Sequence, residues 1–249
     1  MNKKFNFFKL FPRIYTRLFK SLYKNRLDYN LSELLKNGLS IETIYDIGAY
    51  KGEWSTYYNK TSLKNKKFYL FEANQSNEKF LSNTKFNYYI DVLSDSKKKL
   101  KFYTKGLTGD SYYRELSERY SKDLKFDLIS TNTLNDIVEK NNLDYPNFVK
   151  IDTQGSEIDI LKGANKVLAN CNLLYLETPI IEYNLGSPNF SETVKYLNSI
   201  GFIPYDICEI HYMDKMLIQI DILYIRKKKF LEIFPKQQTI DLLTNETFY

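Results

Sequence analysis

Apolar positions change their spacing several times along the chain, and each change marks an element. Near the start, Phe11, Tyr15, Leu18 and Leu22 recur three or four apart, with Arg13, Arg17, Lys20 and Lys24 on the opposite side. That spacing predicts an amphipathic basic helix opening near Pro12, a residue suited to a first helical position. From residue 41 the pattern becomes short and β-rich. Strands are expected over 41–47, Lys67–Glu72, 87–93, 148–152 and 173–177, with helices over 52–59, 77–83, 156–168 and 190–200. Strands alternating with helices predict parallel βαβ units. Lys99–Tyr103 and Phe126–Ser130 read as two further short strands around a turn-rich loop at 106–111. Thr133 reads as the N-cap of a helix carrying Leu134, Ile137 and Val138. Gly201 stops the last helix. Two apolar runs, 202–210 and 217–225, then flank HYMDKM and predict an antiparallel hairpin with His211 at its tip. The organisation expected is a basic helical extension over 1–37, one α/β domain over 38–226, and a tail over 227–249.

Composition narrows the class. At 249 residues, with 43% hydrophobic and 27% charged, the chain can build one large core. It contains no run of 18 uncharged apolar residues, which excludes a transmembrane helix as an expectation. Two cysteines, Cys171 and Cys208, lie far apart and outside any metal-type pair, which suits a reducing cytosol. The net charge of +6 is concentrated. Residues 1–27 carry eight cations and no acid, so the rest of the chain has a net charge of −2. Nucleic-acid binding by the body is therefore disfavoured. The basic segment either lies on an anionic membrane surface or packs its aromatic stripe on the domain.

In an open parallel sheet, ligands bind beyond the carboxyl ends of the strands. The first strand ends in Asp46, Gly48, Tyr50 and Gly52; the second in Glu72, Ala73 and Asn74; the third in Asp91 and Val92; the fourth in Asp152; the fifth in Glu177. An acid such as Glu72, some 20 residues past a glycine loop, is placed to accept hydrogen bonds from ribose hydroxyls. The glycine loop is not G-x-G-x-x-G, and an acid precedes it. Asp46 would repel a pyrophosphate and attract a sulfonium. Ribose with a positive charge and no phosphate points to S-adenosylmethionine.

These segments resemble the FkbM-type class I S-adenosylmethionine-dependent methyltransferases from about Ile44 to Arg226. The resemblance is carried by YDIGAYKGEWS, FYLFEAN, DVLSD, TNTLNDIV, FVKIDTQGSEIDILKGA, LLYLE and QIDILYIR, in that order. It implies a Rossmann-like, doubly wound α/β fold: a mostly parallel seven-stranded sheet with an antiparallel C-terminal hairpin. It also implies that Asp46, Gly48, Tyr50 and Gly52 hold the methionine part of the cofactor. Glu72, with Ala73 and Asn74, would bind the ribose; Asp91 and Val92 would border the adenine; Asp152 would lie near the methyl donor. Asn135 and Gln154 stand where the family more often has Asp and Glu.

Transfer to a hydroxyl needs a general base or a metal. The candidates are Asp152, Glu157, Glu177 and His211, the chain's single histidine. Glu157 reads equally well as an acid offsetting its helix dipole. Asp152, Glu177 and Glu157 are also a candidate cation set, though their spacing matches no dedicated metal motif, and no metal is favoured. Segments 108–114 and 178–187 are expected to face the acceptor, offering Tyr112, Tyr113, Arg114, Glu182, Tyr183 and Asn184. The expected partner is a small-molecule or glycan acceptor, in an enzyme that is cytoplasmic or peripheral at the inner membrane face. The rival readings are an N-methyltransferase of the same fold, a nicotinamide-dependent oxidoreductase, and a non-catalytic binding protein.

Overall fold

The computed structural model describes residues 26–104, 109–116 and 125–235. The helix expected near Pro12 lies outside them. A seven-stranded sheet organises the fold: β1 (Thr43–Ile47), β2 (Lys67–Glu72), β3 (Asn87–Ile90), β6 (Phe148–Ile151), β7 (Leu173–Pro179), β8 (Phe202–Met213) and β9 (Met216–Arg226). Its order is β3-β2-β1-β6-β7-β9-β8. β3, β2, β1, β6 and β7 pair in parallel, whereas β9 pairs antiparallel with both β7 and β8. β1 and β7 are buried along their whole length, as expected for parallel strands covered on both faces.

Two apolar clusters lie on the two faces, so the sheet is doubly wound. One joins Ile47, Phe71 and Val149 to α4 (Leu134–Asn141), α5 (Glu157–Lys162) and α6 (Phe190–Ser199) through Ile137, Leu161 and Leu197. The other joins Ile44, Phe148 and Leu223 to α1 (Arg26–Lys36) and α2 (Glu53–Tyr58) through Leu31, Leu34 and Tyr58. A short helix, α3 (Glu78–Leu81), follows β2, and α7 (Lys227–Ile233) follows β9. α1 lies within the stretch expected to be an extension, yet Leu27, Leu31 and Leu34 are core residues. α7 lies in the expected tail and packs Phe230 and Ile233 against the same cluster.

The main departures from expectation are three. The helix predicted over 156–168 breaks after Lys162 and resumes as a 3-10 turn at Val167–Asn170. Gly163 is the C-cap of α5, and only a glycine fits there: a Cβ would stand 2.2 Å from the Ser94 carbonyl oxygen. The hairpin is longer than predicted. HYMDKM is mostly strand, and only Asp214 and Lys215 form the turn, with Asp214 left-handed at φ 53°. His211 is therefore a strand residue opposite Gln219 rather than the tip. Finally, β4 (Lys99–Tyr103) and β5 (Phe126–Ser130) pair only with each other, as a separate antiparallel ribbon.

Candidate active site

The carboxyl ends of the parallel strands open into a cavity of about 310 Å3. Its first wall is the loop after β1. Gly48 has φ 73°, and a Cβ there would meet the Asp152 carbonyl oxygen at 1.9 Å, so the β1 and β6 loops touch only because residue 48 lacks a side chain. Tyr50 is also left-handed, at φ 51°. Its N–H donates to Glu72 Oε2 at 2.7 Å, and the Asn74 N–H donates to Glu72 Oε1 at 2.8 Å. Glu72 is thus fixed at the end of β2 with one backbone donor on each oxygen, leaving acceptor capacity on both. Burial raises its pKa, opposed by those donors. Asp91, raised by burial, takes a 2.8 Å hydrogen bond from Asn132 Nδ2.

Gly48, Tyr50, Glu72, Ala73, Asp91, Val92, Asp152 and Glu177, singled out from the sequence, all line this cavity. Asp46, Gly52, Asn74, Glu157 and His211 do not. Asp46 is fully buried behind the loop, where Ser55 Oγ donates to it at 2.7 Å and Lys150 Nζ lies 3.0 Å away. Its charge is met inside the protein by Lys150, so, contrary to expectation, Asp46 presents no bare negative charge to a pyrophosphate or a sulfonium. Burial acts to lower the Lys150 pKa, yet Asp46 and Asp152 lift it above the ordinary value. Gly52, at φ 76°, caps α2 behind the wall. The Asn74 side chain caps the 3-10 turn Gln75–Asn77 and donates to Asp110 at 2.6 Å.

The β6 loop is equally constrained. Glu157 Oε1 accepts from the N–H groups of Thr153 (3.0 Å) and Gly155 (3.1 Å) and from Thr153 Oγ1 (3.2 Å). Glu157 thus clasps the turn from within, and burial pushes its pKa up to about 7. Asp152 and Glu177 come together, but among the described residues Glu157 does not join them as a third cation ligand. Gln154, at φ 57°, sends its side chain to Glu177, with Nε2 2.8 and 2.9 Å from the two carboxylate oxygens. Tyr183 Oη lies 2.8 Å from Glu177 Oε1. Burial first, then Asp152 and Asp221, hold the Glu177 pKa well above its usual range. Of the six acceptor-facing candidates, Tyr112 lines the cavity, while Tyr113 donates to Asp159 at 2.8 Å.

A second chamber of about 180 Å3 adjoins the first. Trp54, Lys150, Asp152 and Glu177 line both. The smaller chamber adds Tyr175, Glu209, His211 and Asp221. His211 Nε2 stands 3.4 Å from Asp221 Oδ2 and 3.8 Å from Glu209 Oε2, and Asp221 raises the imidazole pKa. Lys150, Glu209, Asp221 and Trp54 were not singled out from the sequence. Lys150, Trp54 and Asp221 sit inside quoted motifs and Glu209 does not, but the convergence of Glu209 and Asp221 on Glu177 depends on strand register, which no local pattern reports.

Residues 46–204 match the family model described as a methyltransferase FkbM domain. Among solved structures, the chain is similar to a methyltransferase FkbM from Methylobacillus flagellatus, with 19% identity and a TM-score of 0.48 over 74% of this chain and 43% of that one. It is also similar to a magnesium protoporphyrin IX methyltransferase from Synechocystis with bound SAM, with 10% identity and a TM-score of 0.45 over 91% and 86% of the two chains. A precorrin-6y C5,15-methyltransferase from Geobacter metallireducens gives 12% identity and a TM-score of 0.41 over 80% and 86%. The chain spans less than half the length of the Methylobacillus protein. No curated protein matches it.

Proposed function

The chain belongs to the FkbM methyltransferase family, and on that premise we propose that it transfers a methyl group from S-adenosylmethionine to a hydroxyl of a sugar, glycan or related small molecule. The observation that carries this reading is the pair of adjoining chambers, which share Asp152 and Glu177 at the carboxyl edge of the sheet. The larger chamber suits the cofactor: Glu72 for the ribose, Asp91 and Val92 beside the adenine, and the tight loop at Gly48 and Tyr50 for the methionine end. Asp46, Gly52 and Asn74 serve it from behind by holding that wall. When bound, S-adenosylmethionine supplies a methyl carbon on a sulfonium, whose leaving group is the neutral thioether of S-adenosylhomocysteine.

The chain's own part is positioning, exclusion of water and disposal of one proton. The smaller chamber receives the acceptor. Asp152, on the shared wall and half-exposed, is placed to take the proton of the acceptor hydroxyl. Glu177 stands beside it, braced by Gln154 and Tyr183. Glu157 keeps the Asp152 loop in shape and touches neither ligand. His211 lines only the smaller chamber, on the acceptor's side. A second reading, an amine acceptor, is favoured by the four carboxylates of that chamber, Asp152, Glu177, Glu209 and Asp221.

Titration of the purified protein with S-adenosylhomocysteine by calorimetry, with NAD as control, tests the cofactor. Binding of S-adenosylhomocysteine alone is expected. Glu72→Ala should weaken it about 10–100-fold, since hydrogen bonds to a charged group contribute ~1.5–3 kcal/mol. Equal binding by a folded Glu72→Ala protein, or binding of NAD instead, overturns the reading.

A further inference from the structure

The smaller chamber holds an arrangement of charge that folding alone does not explain. Glu177 on β7 is directly opposite Asp221 on β9, and Asp221 is directly opposite Glu209 on β8. Three carboxylates therefore stand in one row across three neighbouring strands. Like charges directly opposite one another in a sheet are destabilising. Lys150 acts on the Glu177 end of the row, but its ammonium makes its close contacts elsewhere, with Asp46 at 3.0 Å, Asp152 at 3.7 Å and the Gly48 carbonyl at 3.0 Å. Gln154 and Tyr183 cover Glu177, while the other end of the row has His211 and the Tyr175 hydroxyl beside it and, among the described residues, no Lys or Arg ion pair.

The atoms at that end are arranged around a common point. The single ligand atoms offered by Glu209, His211 and Asp221 all lie within 4.8 Å of one another. The 3.4 and 3.8 Å separations from His211 Nε2 to the two carboxylate oxygens suit neighbouring positions around an ion bound at about 2.0–2.2 Å. His211 Nε2, and the second oxygen of Asp221, Oδ1, are also buried without a hydrogen-bond partner. Such orphaned atoms are costly unless something absent from the protein meets them. Asp221 Oδ2 is held by the Tyr175 hydroxyl at 3.3 Å, a neighbour that fixes the carboxylate's orientation as outer groups do around metals.

We propose that Glu209, His211 and Asp221 bind a divalent cation of the Mn2+ or Zn2+ type, which accepts imidazole and carboxylate together. The ion neutralises the row of acids, and its remaining positions face the chamber. There it takes one or two hydroxyl oxygens of the acceptor as ligands, which orients the acceptor towards the shared wall and eases loss of the proton to Asp152. The acceptor role rests on the methyltransferase reading, but the cation site does not. His211 is then a ligand and not the base.

The test uses the full chain, stripped with a chelator and titrated with Mn2+ alone, following loss of the free-ion signal by electron paramagnetic resonance. One Mn2+ per chain is expected, displaced by Zn2+. Glu209→Gln and His211→Ala should each weaken binding 10-fold or more. Thermal melts separate a lost ligand from a lost fold: without metal, Glu209→Gln should melt at or above the parent, because the acid row is relieved. Mn2+ should then raise the melting temperature of the parent alone. S-adenosylhomocysteine binding, read in parallel, keeps the two readings apart. If that ligand binds while Mn2+ and Zn2+ do not, or bind the two variants equally well, the cation site is wrong and the methyltransferase reading stands. Turnover of an amine acceptor by metal-free protein would overturn the ion's role in holding the acceptor.

Discussion

Glu157 shows how a single side chain can look catalytic and be structural. Its place in the first turn of a helix after a strand end is legible in the sequence. Its inward rotation is not, because that depends on the Thr153 and Gly155 N–H groups turning towards it. Burial pushes its pKa up to about 7, from an unfolded value near 4.5. A carboxyl with a raised folded pKa binds its proton more tightly in the native state. Its contribution to stability is therefore complete below about pH 4.5 and is lost as pH rises towards about 7. All three clasping bonds end on one oxygen, so an amide can replace the acid. Glu157→Gln should melt like the parent near pH 4.5 and be more stable above pH 7, by on the order of 2–3 kcal/mol. Denaturant melts at the two pH values check this; a pH-independent difference would contradict it. Glu72 and Asp152 were legible as site residues because each ends an apolar strand. Glu209 and Asp221 were not, since alternation in a long hairpin assigns them equally well to an exposed face.

At the scale of elements, the parallel strands were legible and the margins were not. Phe148–Ile151 and Leu173–Pro179 are runs that only a strand buried on both faces needs, and both are strands. The hairpin was underestimated because its last residues, Tyr212 and Met213, extend beyond the paired β7 and are exposed. A local pattern of mixed polarity cannot distinguish such an overhang from a loop. The separate β4–β5 ribbon was legible as two strands but not as a second sheet, since pairing partners are a tertiary property. Helix starts were easier. α4 opens on Thr133, whose hydroxyl accepts from the Asp136 N–H, and α6 opens on a full capping box between Asn189 and Glu192. Asn189→Ala should remove about 1 kcal/mol of stability, or about 2–4 °C in melting temperature, while leaving S-adenosylhomocysteine affinity unchanged. A change in affinity would mean that α6 does more than cover the sheet.

At the scale of the whole molecule, α1 and α2 cover one face of the sheet and α4, α5 and α6 the other, while the strand ends left between them carry the chemistry. Among the described residues, no helix is long and apolar enough to cross a membrane. Trp54, Lys150, Asp152 and Glu177 belong to both chambers at once. A side chain that settles against one occupant is already placed, well or badly, for the other. Occupancy of the two chambers should therefore be energetically linked, and linkage is symmetrical. If S-adenosylhomocysteine tightens acceptor binding by some factor, the acceptor must tighten S-adenosylhomocysteine by the same factor, whichever arrives first. Calorimetric titrations run in both orders should return one coupling constant, and Trp54→Ala, which thins the common wall, should bring it closer to unity. Each chamber would thereby report on the occupant of the other through the wall they share.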